Sequence, residues 1–482
     1  MTDFSPFVRE QNLIGGAWVG AASGAVIDVT NPATGAVIAR VPNAGAEETR
    51  RAIDAAHAAF PAYAALPLNE RVGMLRRLHQ AIMDNHEPLA RMMTAEQGKP
   101  LSEARAEIAS SAAYVLWFAE EARRIYGEII PSPVLGRRLM TTKHPVGVVA
   151  AITPWNFPSS MLARKIGPAL AAGCTVVVKP ASATPLSGLV WGQLAEQAGF
   201  PAGVVNVLTG SPRAIGGEIM ANPKVRKITF TGSTDIGKDL IRAAAGTVKR
   251  VSMELGGNAP FMVFDDADLD NAVKGAIIAK FRNAGQTCIC TNRLYVQSGI
   301  YDRFVAAFAE RVGALNVAPG DEPGAEQGPM IDEAAVNKME GMLADALEKG
   351  GQLVTGGGRH PRGGLFFQPT VVKDATPEMR VSTEEIFGPV AAVYRFDTED
   401  EAIALANDTE YGLAAYAYTQ DMRRVFRLQD QLGYGLLGIN EVLIVTPEAP
   451  FGGIKESGMG REGGRQGIED FLDLKYTCIG GL

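Results

Sequence analysis

Five short runs decide the fold: VGVVAAIT (146–153), CTVVVKP (174–180), VVNVLTG (204–210), KITFTG (227–232) and VSMEL (251–255). Each is rich in β-branched residues, and Ala-rich stretches of helical length lie between them, such as SSMLARKIGPALAAG (159–173) and PLSGLVWGQLAEQAG (185–199). Near-continuous apolar strands suit a parallel sheet covered on both faces, and strands alternating with helices at this spacing predict repeated βαβ units. The expected class is therefore α/β, with a doubly wound, nucleotide-binding sheet.

Outward from this core, residues 1–60 read as strands and turns, followed by helices to about Tyr126. Helical spacing is plain over 70–85, where Val72, Leu75, Leu78, Ile82 and Met83 share one face. Downstream, a second α/β region begins at the pair Gly256 and Gly257. It holds an expected helix over 269–283, a strand RLYVQS (293–298), a helix over 304–315 and strands around FFQPTVV (366–372) and AAVYRF (391–396). The units expected are 1–126 with 146–255, then 256–445. Residues 127–145 and 470–482 fit neither core and read as paired strands that reach another subunit.

The chain has 482 residues, enough for two or three domains and a sizeable core. Its 46 Lys and Arg against 53 Asp and Glu sum to −7, with no run of five like charges, so nucleic acid and anionic membrane surfaces are poor partners. No stretch reaches the ~18 uninterrupted apolar residues of a membrane span, and no leader pattern opens the chain, so a cytoplasmic protein is expected. Four cysteines without CxxC or HExxH make neither a disulfide framework nor a recognisable zinc site. Two of them, Cys288 and Cys290, stand two positions apart and mark where chemistry is expected. The 54 glycines, about 11% of the chain against ~7% in an average protein, point to tight turns and close backbone approaches.

Two glycine motifs mislead. GMGREG (458–463) matches GxGxxG through Gly458, Gly460 and Gly463, but it reads as a polar loop with no strand before it. GSTDIGKD (232–239) approaches a P-loop yet carries Asp239 where a magnesium-binding hydroxyl is needed, which argues against kinases and ATPases. Its setting still suits a pyrophosphate, because a strand ends at Gly232 and a helix is expected to open near Thr234.

Four segments, TPWNFP (153–158), MELGG (253–257), FRNAGQTC (281–288) and EEIFGP (384–389), resemble the aldehyde dehydrogenase superfamily from about Asn12 to the C-terminus. The runs AGQTCIC and KYTCIG look like its succinate-semialdehyde dehydrogenase branch. The resemblance implies a doubly wound NAD(P)-binding domain (1–126 and 146–255), a catalytic α/β domain (256–445) and a small β oligomerisation element. A homotetramer built as a dimer of dimers is expected.

It also assigns roles that fit the chemistry of each residue. Cys288 is the expected nucleophile, since a soft thiolate adds to an aldehyde and the thiohemiacetal can expel hydride. A cysteine hydrolase would need a histidine partner, and none of His57, His79, His86, His144 and His360 lies in a motif. Glu254 is the expected base for the water that hydrolyses the thioester, and its presence favours hydrolysis over transfer to phosphate or coenzyme A. Asn156 is the expected oxyanion donor, together with the Cys288 N–H. Retention of all three argues against a catalytically silent member of the fold.

For the cofactor, the resemblance implies Thr153, Pro154 and Trp155 lining the site, Lys179, Pro180, Ala181 and Ser182 at the adenosine ribose, and Gly232 and Ser233 at the pyrophosphate. Leu255, Glu385 and Phe387 are expected at the nicotinamide end. Relatives that prefer NAD often carry Glu at the Ser182 position, which repels a 2′-phosphate; serine here predicts that NADP is preferred and NAD accepted. No metal is expected.

Arg164 and Arg282 match arginines that hold the substrate carboxylate in that branch, so the expected substrate is a short anionic aldehyde, succinate semialdehyde first. Relatives place a serine in the loop before PFGG, where this chain has Val445 followed by Thr446, which could substitute. Glutarate semialdehyde, 2-oxoglutarate semialdehyde and sulfolactaldehyde therefore remain alternatives. Cys290 is a candidate redox partner for Cys288, because a CxC disulfide ring is strained and readily reduced.

Overall fold

The structure is a computed structural model, and residues 3–482 are described. Its centre is an eight-stranded sheet with five parallel strands in the order Arg250–Glu254, Val225–Thr231, Val148–Ile152, Thr175–Lys179, Val205–Val207. The chain winds outward from Val148–Ile152 through two strands, then returns to its other side with Val225–Thr231. The direction of winding thus reverses between these two neighbours. In open α/β sheets the crevice at the carboxyl ends of such a pair is where ligands bind. Here those ends lead into Thr153 and Gly232.

Thr175–Lys179 is buried at every position, which accounts for its unbroken apolar run. The helix Ser160–Ala172 covers the sheet and is buried along its whole length, Arg164 and Lys165 included. It stops at Gly173, whose φ of +97° lets the chain turn directly into the next strand.

The second sheet has seven strands, ordered Gln352–Thr355, Thr370–Lys373, Val390–Phe396, Thr291–Gln297, Ala259–Val263, Ala414–Tyr418, Leu436–Ile439, all parallel except the first pair. A third sheet pairs Arg137–Pro145 with Leu472–Gly480 over nine residues and with Glu128–Ile130 on its other side. The two segments left over from the sequence thus pair with each other.

Three local expectations are corrected. The first 60 residues contain a helix, Ala46–Ala64. Its buried stripe of Ala52, Ile53 and Ala56 is small enough to lie flat on the sheet, and Glu48 accepts the Gly45 N–H at 2.9 Å to start it. The helix expected to run to Asn283 ends at Phe281, because Asn283, Ala284 and Gly285 all take left-handed φ values of 52°, 54° and 72°. Finally, GMGREG is not simply a polar loop. Gly458–Met459 forms a short strand antiparallel to Arg250–Glu254, with Gly458 opposite Glu254. Among the described residues, no helix is long and apolar enough to cross a membrane.

Candidate active site

The left-handed turn at 283–285 throws the chain away from its helix and presents Cys288 between two cavities. Non-glycine residues occupy that backbone region at a cost, so their surroundings must hold them there. Asn283 does so through its side chain: Nδ2 donates to the main-chain oxygens of Asn156 and Gln286, both at 3.1 Å, and Oδ1 accepts from Gln97 at 2.9 Å. Gly285 is packed so closely that an added Cβ would lie 2.3 Å from the Gly388 oxygen.

The first cavity, of about 260 Å³, opens at the carboxyl ends of the switch-point strands. It brings together Pro154, Trp155, Asn156, Gly232, Ser233, Leu255, Cys288, Glu385 and Phe387. Trp155 and Phe387 meet edge to face at 5.6 Å, and Phe387 is held at a left-handed φ of 55°. Glu385 accepts the Gly257 N–H at 3.1 Å, and burial raises its carboxyl to about 7. Ser233 begins the helix Thr234–Ala244 without a side-chain cap bond, leaving the helix N-terminus free to meet an anion.

Lys179, Pro180, Ala181 and Ser182 lie at the end of the neighbouring strand and do not line this cavity. Lys179 donates only to the Pro180 oxygen at 3.1 Å, and desolvation lowers its amine to about 8. The hydroxyl oxygens of Ser182 and Thr153 are buried without partners. Unpaired hydroxyls on the segments that hold Lys179, at the carboxyl ends of the same sheet that carries the free helix N-terminus, fit a phosphorylated dinucleotide.

The second cavity, of about 250 Å³, lies on the other side of Cys288 and is lined by Arg164, Arg282, Phe157, Thr287, Val445 and Phe451 among others. Arg164 is 5% exposed, and neither its Nε nor its Nη1 has a hydrogen-bond partner. Glu462 is nearest, with an oxygen 3.9 Å from Nη1. A buried guanidinium with unpaired nitrogens, on a residue that lines a cavity, suits an anion there.

Burial pushes the Cys288 thiol up to about 12, Glu385 adds to this, and Arg164 opposes it. Glu254 lines neither cavity. It is 3% exposed with Oε2 unpartnered, and burial raises its carboxyl well above the usual range, with Glu462 adding to this and Lys165 and Arg164 opposing. Asn156 donates from Nδ2 to the Gln286 oxygen at 3.2 Å and lines the first cavity together with Cys288.

The aldehyde dehydrogenase family profile matches residues 18–477. The chain belongs to the aldehyde dehydrogenase family. It is 56% identical over 476 residues to the NADP(+) succinate-semialdehyde dehydrogenase of Escherichia coli, covering 99% of each chain. Two other relatives are as similar: a 3-sulfolactaldehyde dehydrogenase of Pseudomonas putida, 55% identical over 98% of each chain, and a glutarate-semialdehyde dehydrogenase of Pseudomonas aeruginosa, 56% identical over 98% of each. A solved structure of an E. coli NADP dependent enzyme superposes with a TM-score of 0.98 at 56% identity, covering 99% of each chain.

For an aldehyde dehydrogenase, one sequence expectation about the substrate side needs correcting. Thr446 is exposed and absent from the cavity wall, because its hydroxyl is bonded to the Glu448 carboxylate. Val445 lines the wall, which is apolar there alongside Leu443 and Ile289. Cys290 is 3% exposed, with Sγ 3.5 Å from the Lys280 oxygen.

Sequence reasoning also missed residues that the fold brings in from elsewhere. Ser110 lines the second cavity and Lys338 the first, where Lys338 donates to the Glu385 main-chain oxygen at 2.7 Å. Lys165 and Glu462 form a buried ion pair behind Glu254. Ser110, Lys165 and Lys338 lie outside the motifs, and Glu462 sits in GMGREG with nothing local to mark it; the Lys165–Glu462 pair is revealed by burial of charge, which a sequence does not display.

Proposed function

We propose that this enzyme oxidises a short anionic aldehyde to its acid with NADP in preference to NAD, and that succinate semialdehyde is the substrate. The observation that carries this reading is Arg164, a buried arginine with unpaired guanidinium nitrogens that lines one cavity together with Cys288. Arg282 lines the same cavity and supplies a second positive charge. An aldehyde whose distal anion rests on these arginines would point its carbonyl at the thiol.

Cys288 releases its thiol proton to water, its Sγ adds to the carbonyl carbon, the C=O π electrons move onto oxygen, and the Asn156 amide with the Cys288 N–H stabilises that oxyanion. Thr153, Pro154, Trp155, Lys179, Pro180, Ala181, Ser182, Gly232, Ser233, Leu255, Glu385 and Phe387 would hold the dinucleotide. Bound there, NADP supplies the hydride acceptor that turns the thiohemiacetal into a thioester. Glu254 then takes a proton from water, which attacks the thioester and releases the acid with Cys288 restored.

The three relatives are named for three different anionic aldehydes at nearly equal identity. Val445 removes a hydroxyl from the wall, so glutarate semialdehyde and sulfolactaldehyde stand as the second reading. A kcat/KM panel of these aldehydes and a neutral aldehyde of equal length, run with both cofactors, tests the proposal. The highest value for succinate semialdehyde with NADP is expected. A preference for the neutral compound would remove the role given to Arg164 and Arg282.

We read residues 1–126 with 146–255 as the NAD(P)-binding domain, 256–445 as the catalytic domain, and 127–145 with 470–482 as oligomerisation strands. Exposed Ile129, Leu474 and Tyr476 on the three-stranded sheet support a second copy packing there. A tetramer by sedimentation, lost when Leu474 and Tyr476 become charged, is expected; an unchanged assembly would refute this use of the strands.

A further inference from the structure

The Arg164 guanidinium lies over two aromatic rings, 4.9 Å from the centre of Tyr114 and 4.6 Å from that of Phe451. Phe451 belongs to the cavity wall, whereas Tyr114 is wholly buried in the helix Leu101–Glu121 and does not reach the cavity. The Tyr114 hydroxyl donates to the Thr446 main-chain oxygen at 3.3 Å, so the same side chain also ties down the loop that carries Val445.

The GMGREG run supplies the room for this arrangement. Gly463, at a left-handed φ of 71°, lies against the ring: an added Cβ would sit 3.1 Å from Tyr114 Cε1 and 2.8 Å from the Ala449 oxygen. One position earlier, Glu462 exchanges backbone hydrogen bonds with Phe451, both at 2.7 Å, which fixes the second ring. The glycine motif that resembled a phosphate loop is thus a seat for aromatic side chains.

A free arginine side chain samples many rotamers, and ordering it when an anion arrives opposes binding. Two π faces hold the planar cation by electrostatic attraction and leave the N–H groups at its edge free. We propose that Tyr114 and Phe451 clamp Arg164, and that Tyr114 is a positioning residue that sets the enzyme's preference for anionic over neutral aldehydes without touching the substrate. The proposal rests on the anionic-aldehyde reading above.

The test measures KM and kcat for succinate semialdehyde and for a neutral aldehyde of equal length in the parent enzyme, Tyr114→Leu and Tyr114→Phe. Tyr114→Leu should raise KM for the anionic aldehyde by about 10- to 30-fold while kcat and the neutral substrate's kcat/KM hold within about twofold. Tyr114→Phe keeps the ring and should keep the anionic KM within about threefold. Phe451→Leu should lower the anionic-to-neutral ratio as Tyr114→Leu does, and it serves if Tyr114→Leu does not fold. Equal losses on both substrates, or an unchanged ratio in Tyr114→Leu and Phe451→Leu, overturn the clamp. A loss in Tyr114→Phe as large as in Tyr114→Leu overturns the role of the ring. A parent enzyme without anionic preference overturns both the clamp and the reading beneath it, and is distinguished by appearing before any substitution.

Discussion

Lys99 and Glu107 meet at 2.5 Å with both side chains wholly removed from solvent. Lys99 Nζ also donates to the Asn156 main-chain oxygen at 2.7 Å, and Glu107 accepts the Ser159 and Ser160 N–H groups at 2.9 and 3.1 Å. One buried ion pair therefore holds the proposed oxyanion donor and the start of the helix that bears Arg164.

Removing either charge leaves the other buried and unpaired, which costs about 3–5 kcal/mol. Lys99→Met and Glu107→Leu should each lose that much in denaturant titrations, while the two together should recover part of it. A double variant as unstable as the sum of the singles would mean that the two side chains are not coupled.

Glu254 should control the acid side of the pH profile. A base works only when deprotonated, so kcat should rise with pH through the raised carboxyl value and fall below it. Glu254→Gln should reduce steady turnover by about 10²- to 10⁴-fold, erase that limb and leave a single-turnover burst of NADPH. The sign for stability is opposite to that of a salt-bridged carboxylate. The folded protein keeps the Glu254 proton over pH values at which the unfolded chain has released it, so stability falls as pH rises from the ordinary carboxylate value to the raised one. Glu254→Gln should flatten that fall in melting temperatures, and an unaltered slope would assign it to other groups.

Ser182→Glu should reverse the cofactor preference. The new carboxylate would face the 2′-phosphate where an unpaired hydroxyl now stands, and like charges brought together cost several kcal/mol, or about 100-fold or more in kcat/KM for NADP. NAD turnover should be retained. An enzyme that favours NAD before any substitution would contradict the reading of Ser182.

Cys290 offers a redox test. Peroxide converts the Cys288 thiol to a sulfenic acid and water, and attack by the Cys290 sulfur then forms the disulfide and releases a second water. Cys290 is buried, with its Sγ 3.5 Å from the Lys280 oxygen. Inactivation by peroxide should be reversed by dithiothreitol in the parent and much less completely in Cys290→Ala. Identical recovery of the two would leave Cys290 as a packing residue.

What could be read in advance follows from locality. Val176, Val177 and Val178 announce a doubly covered strand because burial on both faces acts on each residue in turn. Cys288, Glu254 and Asn156 stand out because each lies in a short motif. The helix end at Phe281 has no local signal, because the left-handed turn beyond it is held by Gln97 and Asn156, which are far away in the chain.

The class of fold, the family and the residues of the four motifs are all legible along the chain. What surrounds them is settled by packing alone. Lys165 meets Glu462 across 297 positions, and Tyr114 reaches Thr446 across 332. Whether Arg164 is a paired charge or an idle one, whether Thr446 faces the substrate, and what the GMGREG glycines are for all depend on such meetings. Strand and helix periods are set by neighbours along the chain and leave a pattern there. Contacts between distant elements are set by packing in space, and they leave no periodic trace.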